Sequence, residues 1–206
     1  MCPTPAQQIV FQEDVRAVTE QTARLERLEH ERKDHVQTWR LAPGVDALQA
    51  LRGGQFTVAV TTVAALGDLT RFENPRQLMN DLGFTPAADS TGERRRQGGI
   101  TKTGNPHARR ALIEGAWASR DPATVSRHLQ LRLAKVPKPI QDLSWKAQVR
   151  RCKRDRQLSA RGQNVKQVVV AIARERRAFM WAMAQEVSLT PSTQTVASPD
   201  SVLTRF

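Results

Sequence analysis

The sequence predicts an all-α protein, a helical linker arm followed by a helical bundle with a helix-hairpin-helix-like unit. Three observations lead there. Apolar residues recur at three- and four-residue spacing along most of the chain. Asn-Pro and Gly steps fall where helices would start and stop. The one stretch with strand-like β-branched content, Phe56 to Leu66, runs for eleven residues and ends at Gly67, which favours a buried helix.

Taken in order, residues 1–11 carry Pro3 and Pro5 without periodicity and read as a loose lead-in. From Gln12 to Trp39, the residues Val15, Val18, Leu25, Leu28, Val36 and Trp39 give a helical seam that Glu29 and Arg32 interrupt. Either a short coiled coil or a plain packing helix fits this pattern. Leu41-Ala-Pro-Gly44 ends it. A short helix over Asp46–Leu51, the turn Arg52-Gly53-Gly54 and the helix at 56–66 form the helix-hairpin-helix outline. Such a turn can offer N–H groups to a DNA phosphate, and it equally fits a simple αα-corner in the core.

Asn74 caps a helix running to Leu82, with Pro75 at its first position and Gly83 after it. A glycine-rich basic loop follows, and Asn105-Pro106 opens a helix to Arg120 with Ala108, Leu112, Gly115, Ala116 and Ser119 on one small-residue face. Further helices are expected over 122–135, 140–158 and 165–187, the last with Val168, Val169, Ile172, Phe179, Met180 and Met183 as core. Residues 188–206, rich in Ser, Thr and Pro, read as a disordered tail. The domain scheme is therefore a lead-in and linker helix over 1–40, a helical domain over 41–187, and the tail.

Lys and Arg number 32 against 20 acids, a net charge of +12, which calls for a polyanionic partner. With no Tyr and few aromatics, a stacking platform for single strands is not the first expectation. Cys2 and Cys152 lie far apart and exclude a cysteine-rich zinc site. That usage, with no signal peptide and no membrane-spanning run, points to the cytoplasm.

The charge concentrates in two stretches. Residues 92–110 hold six cations (Arg94, Arg95, Arg96, Lys102, Arg109 and Arg110) against Glu93. Residues 146–161 hold Lys146, Arg150, Arg151, Lys153, Arg154, Arg156 and Arg161 against Asp155. A basic glycine-rich loop running into the helix start at Asn105 can hold phosphate, because free N–H groups and the positive end of the helix dipole point the same way. Arg94, Arg95, Arg96, Lys102, Asn105, Arg109, Arg110, Lys146, Arg150 and Arg154 are thus the expected nucleic-acid contacts. Ser90, in Ser90-Thr91-Gly92, is the best nucleophile candidate, with a turn serine bonding its own backbone as the other reading. No pattern of acids, and no grouping of His30, His35, His107 or His128, suggests a metal site in this chain.

Several ordered segments carry a resemblance: Leu69-Thr-Arg-Phe-Glu-Asn-Pro-Arg-Gln-Leu78, Leu82-Gly-Phe-Thr-Pro86, Asp89 through Leu112, and Pro137 through Val149. Over roughly residues 12–187 the chain resembles bacterial insertion-sequence transposases of the IS110 type. The resemblance implies DNA strand breakage and rejoining during transposition, with Ser90 as the attacking serine and Thr91 as the alternative register. It implies DNA partners at element ends and targets, a structured guide RNA, and a homo-oligomer. It further implies a RuvC-like domain whose Asp-Glu-Asp-Asp set binds magnesium. The sequence opens at the linker helix, so an N-terminally truncated copy is expected, or a non-catalytic remnant that binds nucleic acid and assembles with or inhibits full-length relatives. Arg151, Asp155, Arg176 and Arg177 stand where similar chains have apolar or aromatic residues, as expected of a decaying copy.

Overall fold

Helix α1 spans Pro5–Gln37. Thr4 caps it reciprocally: the Gln7 N–H donates to the Thr4 hydroxyl, and the Thr4 N–H donates to the Gln7 side chain at 2.8 Å. The helix thus begins inside the stretch expected to be a loose lead-in, because Pro5 suits a first helical position. The computed structural model describes residues 4–91 and 94–189, so the rest of the lead-in, the Gly92-Glu93 step and most of the expected tail lie outside it. Val36 is the one buried residue of α1. Near its end Arg32 lies over the Phe56 ring at 5.9 Å and meets the Thr57 hydroxyl at 3.5 Å. The residue that interrupts the apolar seam is therefore one that fastens the arm to the body.

The body contains α2 (Ala42–Gln49), α3 (Phe56–Leu66), a 3-10 turn (Leu69–Arg71) and α4 (Pro75–Asp81). Strands β1 (Pro86–Thr91) and β2 (Arg94–Ile100) follow, then α5 (Pro106–Ala116), a 3-10 turn (Trp117–Ser119), α6 (Arg127–Leu133), α7 (Lys138–Ala160) and α8 (Val165–Leu189). The described residues are overwhelmingly helical, as the class predicts. The stretch 56–66 is a helix, ending at Gly67 with φ of 69°. The helix after Asn105 stops early, at Ala116, and the helix expected over 122–135 begins only at Arg127, where the Ser126 hydroxyl accepts from the Leu129 N–H.

The largest departure is the antiparallel hairpin β1–β2, which stands where a loop was expected. Its register pairs Asp89 with Arg96, Ser90 with Arg95 and Thr91 with Arg94, with an irregularity between Pro86 and Ala88.

Helix α8 is the centre of the core. Val168, Val169, Ile172, Met180 and Met183 are buried in one cluster with Leu48, Leu51, Leu78, Leu82 and Leu112, and each such side chain contributes about 1.5–3 kcal/mol. The same helix carries Arg176, fully buried. Its Nη1 donates to the carbonyls of Arg52 at 2.9 Å and Gly115 at 3.0 Å. Gly53 and Gly115 touch backbone to backbone, and a Cβ at Gly115 would lie 2.5 Å from the Gly53 oxygen and 3.0 Å from Arg176 Nη1. Burial, with Arg151 and Arg132 nearby, holds the Arg176 guanidinium well below its usual pKa. Burial likewise brings Arg151 and Arg177 to about 10, so these two stay charged near neutrality.

This arrangement bears on two expectations. Arg176 has a place in the packing, because glycine positions make room for it and two carbonyls receive its hydrogen bonds, although its Nε has no partner among the described residues. Arg177 is also used, its Nε donating to the Pro75 carbonyl at 3.1 Å. Arg151 donates within its own helix to the Ala147 carbonyl at 3.1 Å. At the α2–α3 turn, Gly54 is buried and its N–H donates to the Leu51 carbonyl at 2.7 Å, so that one amide is committed to the fold.

Two substitutions test this junction. Gly115→Ala should lower the unfolding free energy by about 1–3 kcal/mol through overpacking. Arg176→Met should also destabilise, because each buried carbonyl left unpaired costs about 1–3 kcal/mol. Urea unfolding at neutral pH measures both. A gain in stability for Arg176→Met would restore the drift reading, since apolar replacement of a useless buried charge stabilises.

Candidate nucleic-acid interface

The hairpin that carries Ser90 is held at its base by a clasp made almost wholly of backbone. The Thr101 N–H donates to the Thr85 carbonyl at 2.9 Å, and the Lys102 N–H to the Gly83 carbonyl at 3.1 Å. Gly83 and Gly104 lie so close to the main chain of Thr103 and Asp81 that a Cβ at either would overlap it. Both have positive φ, 63° and 86°. Phe84, buried, and Ile100, half-buried, pin the two sides to the core.

Arg109 closes the clasp from α5. Its Nη1 donates to the Leu82 carbonyl at 3.0 Å and to the Thr103 carbonyl at 3.3 Å, one on each side of the hairpin base. Asn105 is likewise committed. Its Oδ1 accepts from the N–H groups of His107 at 2.9 Å and Ala108 at 3.1 Å, and its Nδ2 donates to the Ala65 carbonyl at 3.4 Å. Both residues position the hairpin, and Arg109 spends one guanidinium nitrogen on the fold. Lys102 and Arg110 are exposed at the same base. The tight clasp leaves Lys102 at φ of 58°, a left-handed conformation that side chains rarely adopt. Ser90, Arg94, Arg95 and Arg96 sit in the paired strands, and their backbone register is all that is described.

The second basic stretch lies on α7 and is separate from the hairpin in sequence. Arg150 and Arg154 both face Glu175 of α8, Arg154 at 3.6 Å. They join two helices and are only partly available to a ligand. Lys146 is exposed and has no ion-pair partner among the described residues. Among the described residues no three His, Cys, Asp or Glu side chains gather where a metal ion could sit. No described helix is long and apolar enough to cross a membrane.

Residues 45–129, from α2 through the hairpin to α6, match the model of the transposase IS116/IS110/IS902 family. The chain is 43% identical over 188 residues to transposase y4qE of Sinorhizobium fredii, covering 91% of this chain and 45% of that protein. It is 36% identical over 96 residues to a family 20 transposase of Pseudomonas aeruginosa, covering 47% of this chain and 28% of the relative. It is 29% identical over 136 residues to the transposase for insertion sequence element IS1111A of Coxiella burnetii, covering 66% and 31%. The chain belongs to the IS116/IS110/IS902 transposase family. It spans less than half the length of these relatives.

The family match encloses the whole clasp, from Asp81 to Arg109. Sequence reasoning found the cations of this transposase segment but not the division of labour among them. A pair of glycines fifteen or more residues apart, each beside an apolar-to-polar switch, is too weak a signal to announce a clasp. The two-residue step between two short runs was a better one.

Arg109→Ala should therefore loosen the hairpin base. Losing charged hydrogen bonds to two carbonyls costs about 1.5–3 kcal/mol, so amide exchange at Thr101 and Lys102 should accelerate by about 10- to 100-fold. Arg110→Ala, at an exposed neighbour, should leave exchange unchanged. Hydrogen-exchange mass spectrometry over residues 82–105 measures both.

Proposed function

We propose that this chain is the DNA-binding, strand-joining segment of an insertion-sequence transposase. The observation that carries the reading is the anchored hairpin. It places Ser90 and three consecutive arginines on a stalk fixed to the core, with Lys102 and Arg110 at its base. A backbone held this firmly favours chemistry that depends on position.

The proposed step is transesterification. The Ser90 hydroxyl attacks a DNA phosphorus. A serine oxygen–phosphorus bond forms, the bond from phosphorus to a deoxyribose oxygen breaks, and the serine proton ends on the departing sugar oxygen. The number of phosphoester bonds is unchanged, so rejoining needs no external energy source. Cations of the hairpin and its base stabilise charge on the phosphoryl oxygens. A serine hydroxyl needs activation at neutral pH. The magnesium implied by the family has no cluster of acids among the described residues to hold it, and the step rests on this chain's own hydroxyl and cations. DNA at element ends and a structured RNA are the proposed polyanions. A second copy of the chain is the proposed partner for α1, where Phe11, Val15, Val18 and Leu25 are exposed at heptad spacing. The alternative, a binding-only protein that assembles with longer relatives, shares these surfaces but makes no covalent bond.

Covalent capture separates the two. With a complete relative supplying the remaining half and an element-end DNA, a protein–DNA adduct should survive denaturing electrophoresis. Ser90→Ala should abolish it and Thr91→Val should leave it; the reverse would move the nucleophile to Thr91. Neutralising Arg94, Arg95 and Arg96 together should reduce the slope of log affinity against log salt by up to about 2.7, at about 0.9 per phosphate contact. Neutralising Arg150 and Arg154 should change that slope less and weaken the α7–α8 contact more.

A further inference from the structure

We infer that the exposed face of α7 is a second nucleic-acid surface, one that takes an unpaired strand by stacking a base on Trp145; this rests on the nucleic-acid reading above. The chain has four tryptophans. Two serve the fold: Trp181 donates its indole N–H to the Phe72 carbonyl at 2.7 Å, and Trp39 packs against the core. Trp145 and Trp117 do not. Trp145 is 48% exposed and Trp117 38%.

The buried side of α7 is settled by Ile140, Ser144, Ala147, Gln148, Arg151, Cys152, Asp155 and Leu158. Helical spacing then puts Trp145, Val149 and Arg156 on one outer stripe, with Lys146 and Lys153 beside it. All five are exposed. From Trp145 to Arg156 the stripe runs for about 16 Å, at about 1.5 Å per residue.

One wall of the stripe is the segment after α5. Cys152 Sγ donates to the Asp121 carbonyl at 3.3 Å and Gln148 Nε2 to the Thr124 carbonyl at 2.6 Å. The segment therefore runs antiparallel to α7. Exposed Val125 falls towards the Trp145 end, and Trp117, with the Arg120 guanidinium 5.5 Å from its ring, towards the Arg156 end.

Charge decides the kind of partner. Lys146, Lys153 and Arg156 have no ion-pair partner among the described residues. Of the acids nearby, Asp142 pairs with Lys138 at 2.8 Å, Asp121 with Arg52 at 3.5 Å, and Glu175 with Arg150 and Arg154, while Asp155 is buried on the packed side of α7 with one carboxylate oxygen unpartnered among the described residues. A protein partner that covered Trp145 would desolvate these cations and would have to bring matching acids. A nucleic-acid strand brings its own phosphates, and an unpaired base brings a flat face to the indole. A duplex keeps its bases stacked inside and offers Trp145 nothing comparable.

The test uses the full chain and three fluorescein-labelled probes: a thymidine 20-mer, a uridine 20-mer and a 20-base-pair duplex, followed by anisotropy. Trp145→Ala should weaken single-strand binding by about 5- to 150-fold, the range of one lost base–aromatic stack. Trp145→Phe should retain most of the affinity, and duplex affinity should stay within about twofold for both. Because Trp145 is outside the core, far-UV circular dichroism should be unchanged. Equal loss with thymidine and uridine assigns the face to unpaired strands of either sugar, and loss confined to uridine assigns it to RNA. Unchanged single-strand affinity in Trp145→Ala, or equal loss on the duplex, would overturn the inference while leaving the hairpin reading intact. A Trp145-dependent change in sedimentation without nucleic acid would overturn it by assigning the face to a second copy. Absence of binding to all three probes would sink the nucleic-acid reading itself.

Discussion

The hydrogen bonds from Arg176 to the carbonyls of Arg52 and Gly115 add directed contacts where three parts of the chain meet in the apolar core. They bind α8 to the α2–α3 turn and to the end of α5. Gly53 and Gly115 let the two backbones touch, and the guanidinium seals the contact from the side. Burying that charge is costly, and its Nε finds no partner. The gain is positional: one guanidinium nitrogen, with its two hydrogens, fixes two carbonyls at once, which an apolar side chain cannot do. A cation at the end of α5 also suits the negative end of that helix. The other end of α5 holds the clasp, so the placement of the hairpin is inherited from this contact.

Much of the positive charge is structural. Arg176 and Arg177 hold carbonyls, Arg109 spans the hairpin base, and Arg150 and Arg154 share Glu175. The net charge of the chain therefore overstates what it can offer a polyanion. Among the remaining cations two groups bear on this reading: the hairpin with Lys102 and Arg110, and the α7 stripe around Trp145. Phosphate attraction falls off within about 8 Å at physiological salt, so each place acts on the strand nearest to it.

The helices were legible because their signals are local. Asn74 and Asn105 act as the caps their positions suggest, and Gly67 ends α3. The core residues of α8 follow from periodicity alone. The hairpin was not legible, since Arg-Arg-Arg-Gln-Gly-Gly has neither β-branched residues nor an apolar alternation, and its strands are held by clasp and register. The part that Arg109 and the Asn105 amide nitrogen take in the fold was hidden for a related reason. A cation or an amide in a basic loop looks the same in sequence whether it meets a phosphate or a carbonyl thirty residues away. The exposure of Trp145 was equally hidden, since a tryptophan at helical spacing reads as core until the packed side of α7 is known.

The clasp beneath Ser90 has an implication for how such proteins diversify. It is closed by main-chain atoms, glycines and one side chain that comes from outside the hairpin. The contacts that close it are made by residues 81–85 and 101–109. Sequence change outside those residues leaves these contacts in place, so a new target can be selected for while the base of the hairpin keeps its seat on the core. Reading head and mounting are inherited separately.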